Sequence, residues 1–236
     1  MSFNPIGKNE ATAIAQAITN NKTLKKLIIN NCEITATGAT AIANSLLHNT
    51  SLEELHMSFN AIGKNEATAI AQAITDNKTL KKLIINNCEI TATGATAIAN
   101  SVLHNTSLEE LHISFNAIGK NEATAIAQAI TDNKTLKKLI INDCEITATG
   151  ATAIANSLLH NTSLEELDIS FNAIGKNEAT AIAQAITNNK ALKQLSLYDD
   201  DTIDEESAMI IMRSLYHNNS ITELLFPFKL RHIVIM

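Results

Sequence analysis

The sequence predicts an α/β solenoid in which parallel strands line the concave side and helices the convex side. Its 28-residue units alternate within a 56-residue period. Three observations predict it. Aligned on itself at 56, the chain matches at nearly every position up to about Ala191. The opening MSFNPIGKNE returns as MSFNAIGKNE at Met57–Glu66, so the chain starts inside a repeat. Hydrophobic residues make up 45% of the chain and aromatics 3%, with no Trp, so small aliphatic side chains must fill the core.

The elements follow in chain order. Residues 1–23 supply only the loop-and-helix half of a unit. Six full units occupy 24–191, led by Leu24, Leu52, Leu80, Leu108, Leu136 and Leu164. One half-period reads LKKLIINNCEITATGATAIANSLLHNTS and the other LEELHMSFNAIGKNEATAIAQAITDNKT. Each opens on L-x-x-L-x-I/M, the alternation of a half-buried strand. Leu27, Ile29, Leu55 and Met57 then face inward, and Lys26, Ile28, Asn30, Glu54, His56 and Ser58 outward. Later in each unit Ile42, Ala43 and Leu46, or Ile70, Ala71 and Ile74, recur at helical spacing. Gly38 and Gly63 mark the loops between strand and helix. A degenerate unit, 192–220, follows, then the start of a last strand at 221–226. Residues 227–236 form a hydrophobic cap, with self-association as the other reading of that segment.

L-x-x-L-x-L-x-x-N/C-x-L resembles the leucine-rich repeat pattern. The 28-residue length, with Asn and Cys alternating at the ninth position, resembles its ribonuclease-inhibitor subtype. That resemblance implies an inward ladder at Asn4, Cys32, Asn60, Cys88, Asn116, Cys144 and Asn172, each side chain hydrogen-bonding loop backbone. Asp200 departs from the pattern. Cysteines at a constant spacing of 56 fill one structural slot and are not a disulfide framework.

The outward columns are where a partner would bind. The third position runs Lys26, Glu54, Lys82, Glu110, Lys138, Glu166, an alternating ladder across strands about 4.8 Å apart. Such alternation neutralises itself and cancels at a distance. The fifth position runs Ile28, His56, Ile84, His112, Ile140, Asp168. Its isoleucines are not needed for the core and its histidines bring pH sensitivity. Asn30, Ser58 and Tyr198 complete the candidate face. Phe59, Phe115 and Phe171 precede the ladder asparagines; ring packing against the next loop and a row of partner contacts are the two readings.

Other motifs are absorbed by the architecture. His48, His104 and His160 fall just past helix ends, where a cation complements the dipole, two units apart and too distant to share a metal. Seven Asn-x-Ser/Thr triplets, from Asn21 to Asn218, read as helix-to-strand turns. The acidic run Asp199, Asp200, Asp201, Asp204, Glu205, Glu206 precedes a helix over Ser207–Tyr216, where carboxylates are stabilising; it lacks the glycine and ligand spacing of a calcium loop.

A net charge of −6 disfavours nucleic acid and anionic membrane as partners. Among 18 basic residues only Arg213 and Arg231 are arginine. No phosphate loop, catalytic triad or carboxylate pair is present, so neither an enzyme nor a cofactor site is expected. The array looks uncapped at its N-terminal end, a strand edge open to self-association. The resemblance implies a cytoplasmic, non-enzymatic protein-recognition domain most like the sensor or autoinhibitory array of nucleotide-binding leucine-rich-repeat (NLR) innate immune receptors. The alternatives are a regulator of an enzyme, ribonuclease or small GTPase, and an engineered or freshly duplicated scaffold without an evolved ligand.

Overall fold

A computed structural model describes residues 4–198 and 203–226. The expected cap at 227–236 and the residues Asp199, Asp200 and Asp201 lie outside them. The chain divides into two compact units, Met1–Ala117 and Ile118–Met236.

The first unit alternates helix and strand: α1 (Lys8–Asn20), β1 (Lys26–Ile28), α2 (Ala36–Leu46), β2 (Glu54–His56), α3 (Gly63–Asp76), β3 (Lys82–Ile84), α4 (Ala92–His104) and β4 (Glu110–His112). The four strands pair in order, all parallel, with Leu27, Leu55, Leu83 and Leu111 in register. Register follows from the constant period: a slip of one residue would carry the leucines to the solvent side. Leu55, Leu83 and Leu111 are buried beneath the sheet, as are Met57, Ile85 and Ile113, while Leu27 in the first strand is half-buried.

The second unit repeats the scheme with α5 (Gly119–Asp132), β5 (Lys138–Ile140), α6 (Ala148–Leu158), β6 (Glu166–Asp168), α7 (Lys176–Asn188), β7 (Gln194–Ser196), α8 (Glu205–Ser214), a 3₁₀ turn (Leu215–His217) and β8 (Glu223–Leu225). Strands β5 to β8 are again parallel, aligning Leu139, Leu167, Leu195 and Leu224. In each unit strands form one layer and helices the other, an α/β solenoid segment.

Helices pack on the faces carrying Ala and Ile, such as Ala67, Ile70, Ala71 and Ile74 of α3 against Ala95, Ile98 and Ala99 of α4. The slot of Gly38 differs from its expected place in a loop. Gly38, Gly94 and Gly150 lie inside α2, α4 and α6, because the preceding helix comes too close for a side chain. A Cβ on Gly94 would stand 2.7 Å from that of Ala67. Gly63, by contrast, opens α3 at φ +64°, a conformation that favours glycine. The last helix also begins earlier than its sequence expectation, at Glu205, with Asp204 accepting a bond from the Ser207 backbone N–H at 2.8 Å.

Candidate functional site

Two asparagine columns hold the loops, and they determine which side chains remain for a partner. At the ninth position Asn60 Oδ1 accepts from the backbone N–H groups of Cys32 and Ile34 at 3.0 and 3.1 Å. Its Nδ2 donates to the carbonyls of Ile29 and Met57 at 2.9 and 2.7 Å. Asn116 makes the same set with Cys88, Ile90, Ile85 and Ile113, and Asn172 with Cys144, Ile146, Ile141 and Ile169. The buried Cys88 thiol donates to the Met57 and Asn86 carbonyls at 3.3 and 3.4 Å, and burial pushes its pKa up to about 12. Cys32 and Cys144 are equally buried, and all three thiols are free. Asn4 is exposed, a departure from its expected inward place; no described strand packs on its outer side.

The second column, expected from the sequence as turns alone, is also a ladder. Asn49 Nδ2 donates to the Ile18 and Asn21 carbonyls at 2.7 and 3.1 Å, while its Oδ1 accepts from the N–H groups of Ser51 and Leu52. Asn77, Asn105, Asn161, Asn189 and Asn218 repeat this pattern, each reaching back one unit to tie a helix C-terminus to the next turn. The signal was in the sequence: this asparagine recurs in both halves of the period, whereas the ninth position alternates.

On the outward side the third-position ladder consists of ion pairs. Lys26 lies 2.7 Å from Glu54, Lys82 2.5 Å from Glu110 and Lys138 2.6 Å from Glu166. A second ladder at the preceding position pairs Lys25 with Glu53 at 2.8 Å and Lys193 with Glu165 at 2.5 Å. The hydrogen bonds from Lys26 and Lys25 hold the carboxyls of Glu54 and Glu53 below their ordinary range. Between these charges the fifth column presents Ile28, His56, Ile84 and His112, all half-buried. His56 Nε2 stands 3.5 Å from Glu54 Oε2. Burial first, then Lys26, pulls its pKa below the ordinary value, and Glu54 offsets this only in part. In the second unit the column continues as Ile140 and Asp168, whose carboxylate accepts from the Ser170 N–H at 2.9 Å.

Asn30 and Ser58 differ from the rest of the candidate face. The Asn30 side chain accepts from the Ser58 N–H at 2.9 Å, and the Ser58 hydroxyl from the Asn86 N–H at 3.0 Å. Ser58 is 3% exposed. These side chains enter the ladder between its backbone bonds, the Ile29 N–H to the His56 carbonyl on one side and the Asn31 N–H to the Ser58 carbonyl on the other. The Tyr198 N–H donates to the Ser170 hydroxyl at 2.8 Å, and its ring lies 6.4 Å from that of Phe171. Among the described residues no cluster of His, Cys, Asp or Glu is arranged to hold a metal, and no helix is long and apolar enough to cross a membrane.

The comparisons agree with this geometry. A family model described as Leucine Rich repeat matches six times, at residues 20–43, 48–71, 76–99, 104–127, 132–155 and 160–183. The chain belongs to the leucine-rich repeat family. It is thereby a protein-interaction repeat domain. Among solved structures of similar fold is the leiomodin-1 actin-binding site 2, with a TM-score of 0.54 and 23% identity over 63% of this chain and 86% of that one. That likeness is one of fold. Among curated proteins no match to the chain is found.

Among the described residues the eighth position takes left-handed backbone: φ is +50° at Asn31, +60° at Phe59, +49° at Asn87 and +58° at Phe115. Asparagine visits that region readily; phenylalanine does not. The rings are also exposed, Phe59 by 53% and Phe115 by 49%.

Proposed function

We propose that the chain is the recognition array of a non-enzymatic, cytoplasmic protein, of the ribonuclease-inhibitor-like kind found in NLR receptors, and that it engages a protein partner across the fifth column of its strands. One observation carries the reading: the charges beside that column are paired off, Lys26 with Glu54 and Lys82 with Glu110. An apolar and imidazole stripe therefore remains between neutralised ladders, a surface low in desolvation cost. Supporting the cytoplasmic placement, the cysteines are free and buried, and the triplet asparagines Asn49, Asn77, Asn105, Asn133 and Asn161 are buried, which leaves no room for a sugar chain at those positions, though Asn21 is exposed. The alternation of Asn and Cys at the ninth position supports the subtype.

The test places a carboxylate in the stripe. Ile84→Glu puts an unpaired charge beside His56 and His112 while leaving both asparagine columns intact. Partners cross-linked to the parent chain in extract from its source cells are compared with those of the variant. Partners lost by the variant at an unchanged Tm support the reading. An identical set with Ile84→Glu removes this column as the binding surface. Purified actin is the first defined probe, because the structurally similar leiomodin-1 segment is an actin-binding site.

A further inference from the structure

We propose that the loop edge of the first unit, where Phe59 and Phe115 stand, docks a basic, proline-rich segment of a partner protein in the polyproline II conformation. The proposal deepens the protein-recognition reading and rests on it for the class of partner alone, since the surface is the loop edge and not the fifth column.

The rings are not there for the fold. Asn31 and Asn87 fill the same slot in the alternate units, with φ within about ten degrees of the Phe59 value and in a conformation that asparagine adopts more easily. The same turn therefore forms without a ring. Phenylalanine here keeps a left-handed backbone and half of its surface in water, a combination that marks functional positions.

Spacing selects the conformation of the occupant. Inter-strand hydrogen bonds continue to this position: Asn31 N–H donates to the Ser58 carbonyl at 2.8 Å, Phe59 N–H to Asn86 at 2.9 Å and Asn87 N–H to Ser114 at 2.8 Å. The backbone positions that carry the two rings are thus two strand separations apart, about 9.6 Å. A polyproline II helix returns to the same face every three residues, about 9.3 Å. An extended β-strand covers a similar length in three residues but turns the third side chain to the opposite face. Midway between the rings the Asn87 side chain is exposed, placing an amide against a backbone whose carbonyls have no internal partners. An α-helix would present none to it. Ring, amide, ring is the chemistry of an aromatic groove for proline-rich ligands.

Charge selects the side chains. Glu89, two residues beyond Asn87, is exposed with φ +55°. It has no ion pair among the described residues, unlike the carboxylates of the strand ladders. Glu33 holds the equivalent place on the other side of Phe59, also exposed. Lys64, in the first turn of α3, pairs with neither. An apolar residue at every third position with arginine or lysine between them answers both the rings and the carboxylates.

The test uses acetylated peptides of repeated Pro-Pro-Arg, with Pro-Pro-Glu and Gly-Ser-Arg repeats as controls, titrated into the full chain at fixed ionic strength. The arginine-proline peptide is expected to bind, the acidic one not, and the flexible one at least about tenfold more weakly. The double variant Phe59→Asn with Phe115→Asn is expected to lose about tenfold in affinity with Tm unchanged or raised, and Glu89→Gln to weaken binding severalfold. Equal binding of the two arginine peptides, or a double variant that binds like the parent, overturns the proposal. Ile84→Glu is expected to leave peptide affinity unchanged, so failure of the fifth-column reading is seen separately from failure here.

Discussion

Asn116 shows how much one side chain carries. Its amide serves the N–H groups of Cys88 and Ile90 and the carbonyl of Ile85 in the preceding loop, and the carbonyls of Ile113 and Ser114 in its own. Asn116→Leu fits the volume and strands those groups at about 1–3 kcal/mol each. A loss of several kcal/mol in urea unfolding is expected. Asn116→Asp, which keeps the acceptor and loses the donors, should fall between the variant and the parent. An unchanged midpoint for Asn116→Leu would contradict the bonding described. At His56 the folded pKa lies below the ordinary value. Between the folded and unfolded values the unfolded chain binds more protons, so stability rises with pH there. The contribution is complete above pH about 6.5 and is lost as pH falls below it. His56→Ile, which copies Ile28 and Ile84, removes the effect. The parent should therefore lose more stability than the variant between pH 7.5 and 5.5, and equal losses would show that His56 titrates as if unfolded.

At the scale of elements, helix spacing depends on residues that contribute almost no surface. Gly94 lets α4 approach α3 so closely that a Cβ would meet Ala67 Cβ at 2.7 Å and Ile90 Cγ2 at 3.1 Å. Gly94→Ala is expected to destabilise by about 1–3 kcal/mol through overpacking. Ala67→Gly in the same chain should recover part of that, whereas Ala67→Gly alone should not stabilise. Thermal melts of the three chains decide it. The sequence alone places this glycine in a loop, because an isolated glycine marks a turn as readily as a close approach. Only the neighbouring helix distinguishes the two. The opposite case is Asp204, whose acidic surroundings announced a helix start and whose side chain does cap α8.

At the scale of the whole chain, the hydrogen bonds that join one repeat to the next span 26 to 32 residues. Each repeat depends on its neighbours, as in a one-dimensional array. A second copy of residues 52–107 inserted after Ser107 should therefore fold. Its denaturant m-value should rise in proportion to the added surface, and its midpoint should not fall. A lower midpoint, or a separate early transition, would show that the repeats are not interchangeable. The charge ladders belong to this scale as well. Alternating Lys and Glu on successive strands pair locally, so a net charge of −6 is not concentrated on the strand face.

The period, the strand and helix phases, the in-register leucines and the alternating charges could all be read from the residues. Each is a one-dimensional pattern, and a repeat of constant length turns such a pattern directly into columns. Other facts were decided only in three dimensions, because each depends on a neighbour one unit away or on the backbone angle of a loop. The Asn49 series became a second ladder because its side chains reach carbonyls of the preceding turn. Ser58 and Asn30 joined the inter-strand ladder instead of the open face, because each side chain accepts the backbone N–H of the next strand. Phe59 and Phe115 came to stand exposed on left-handed backbone, a state that their identity argues against and that the loop geometry imposes.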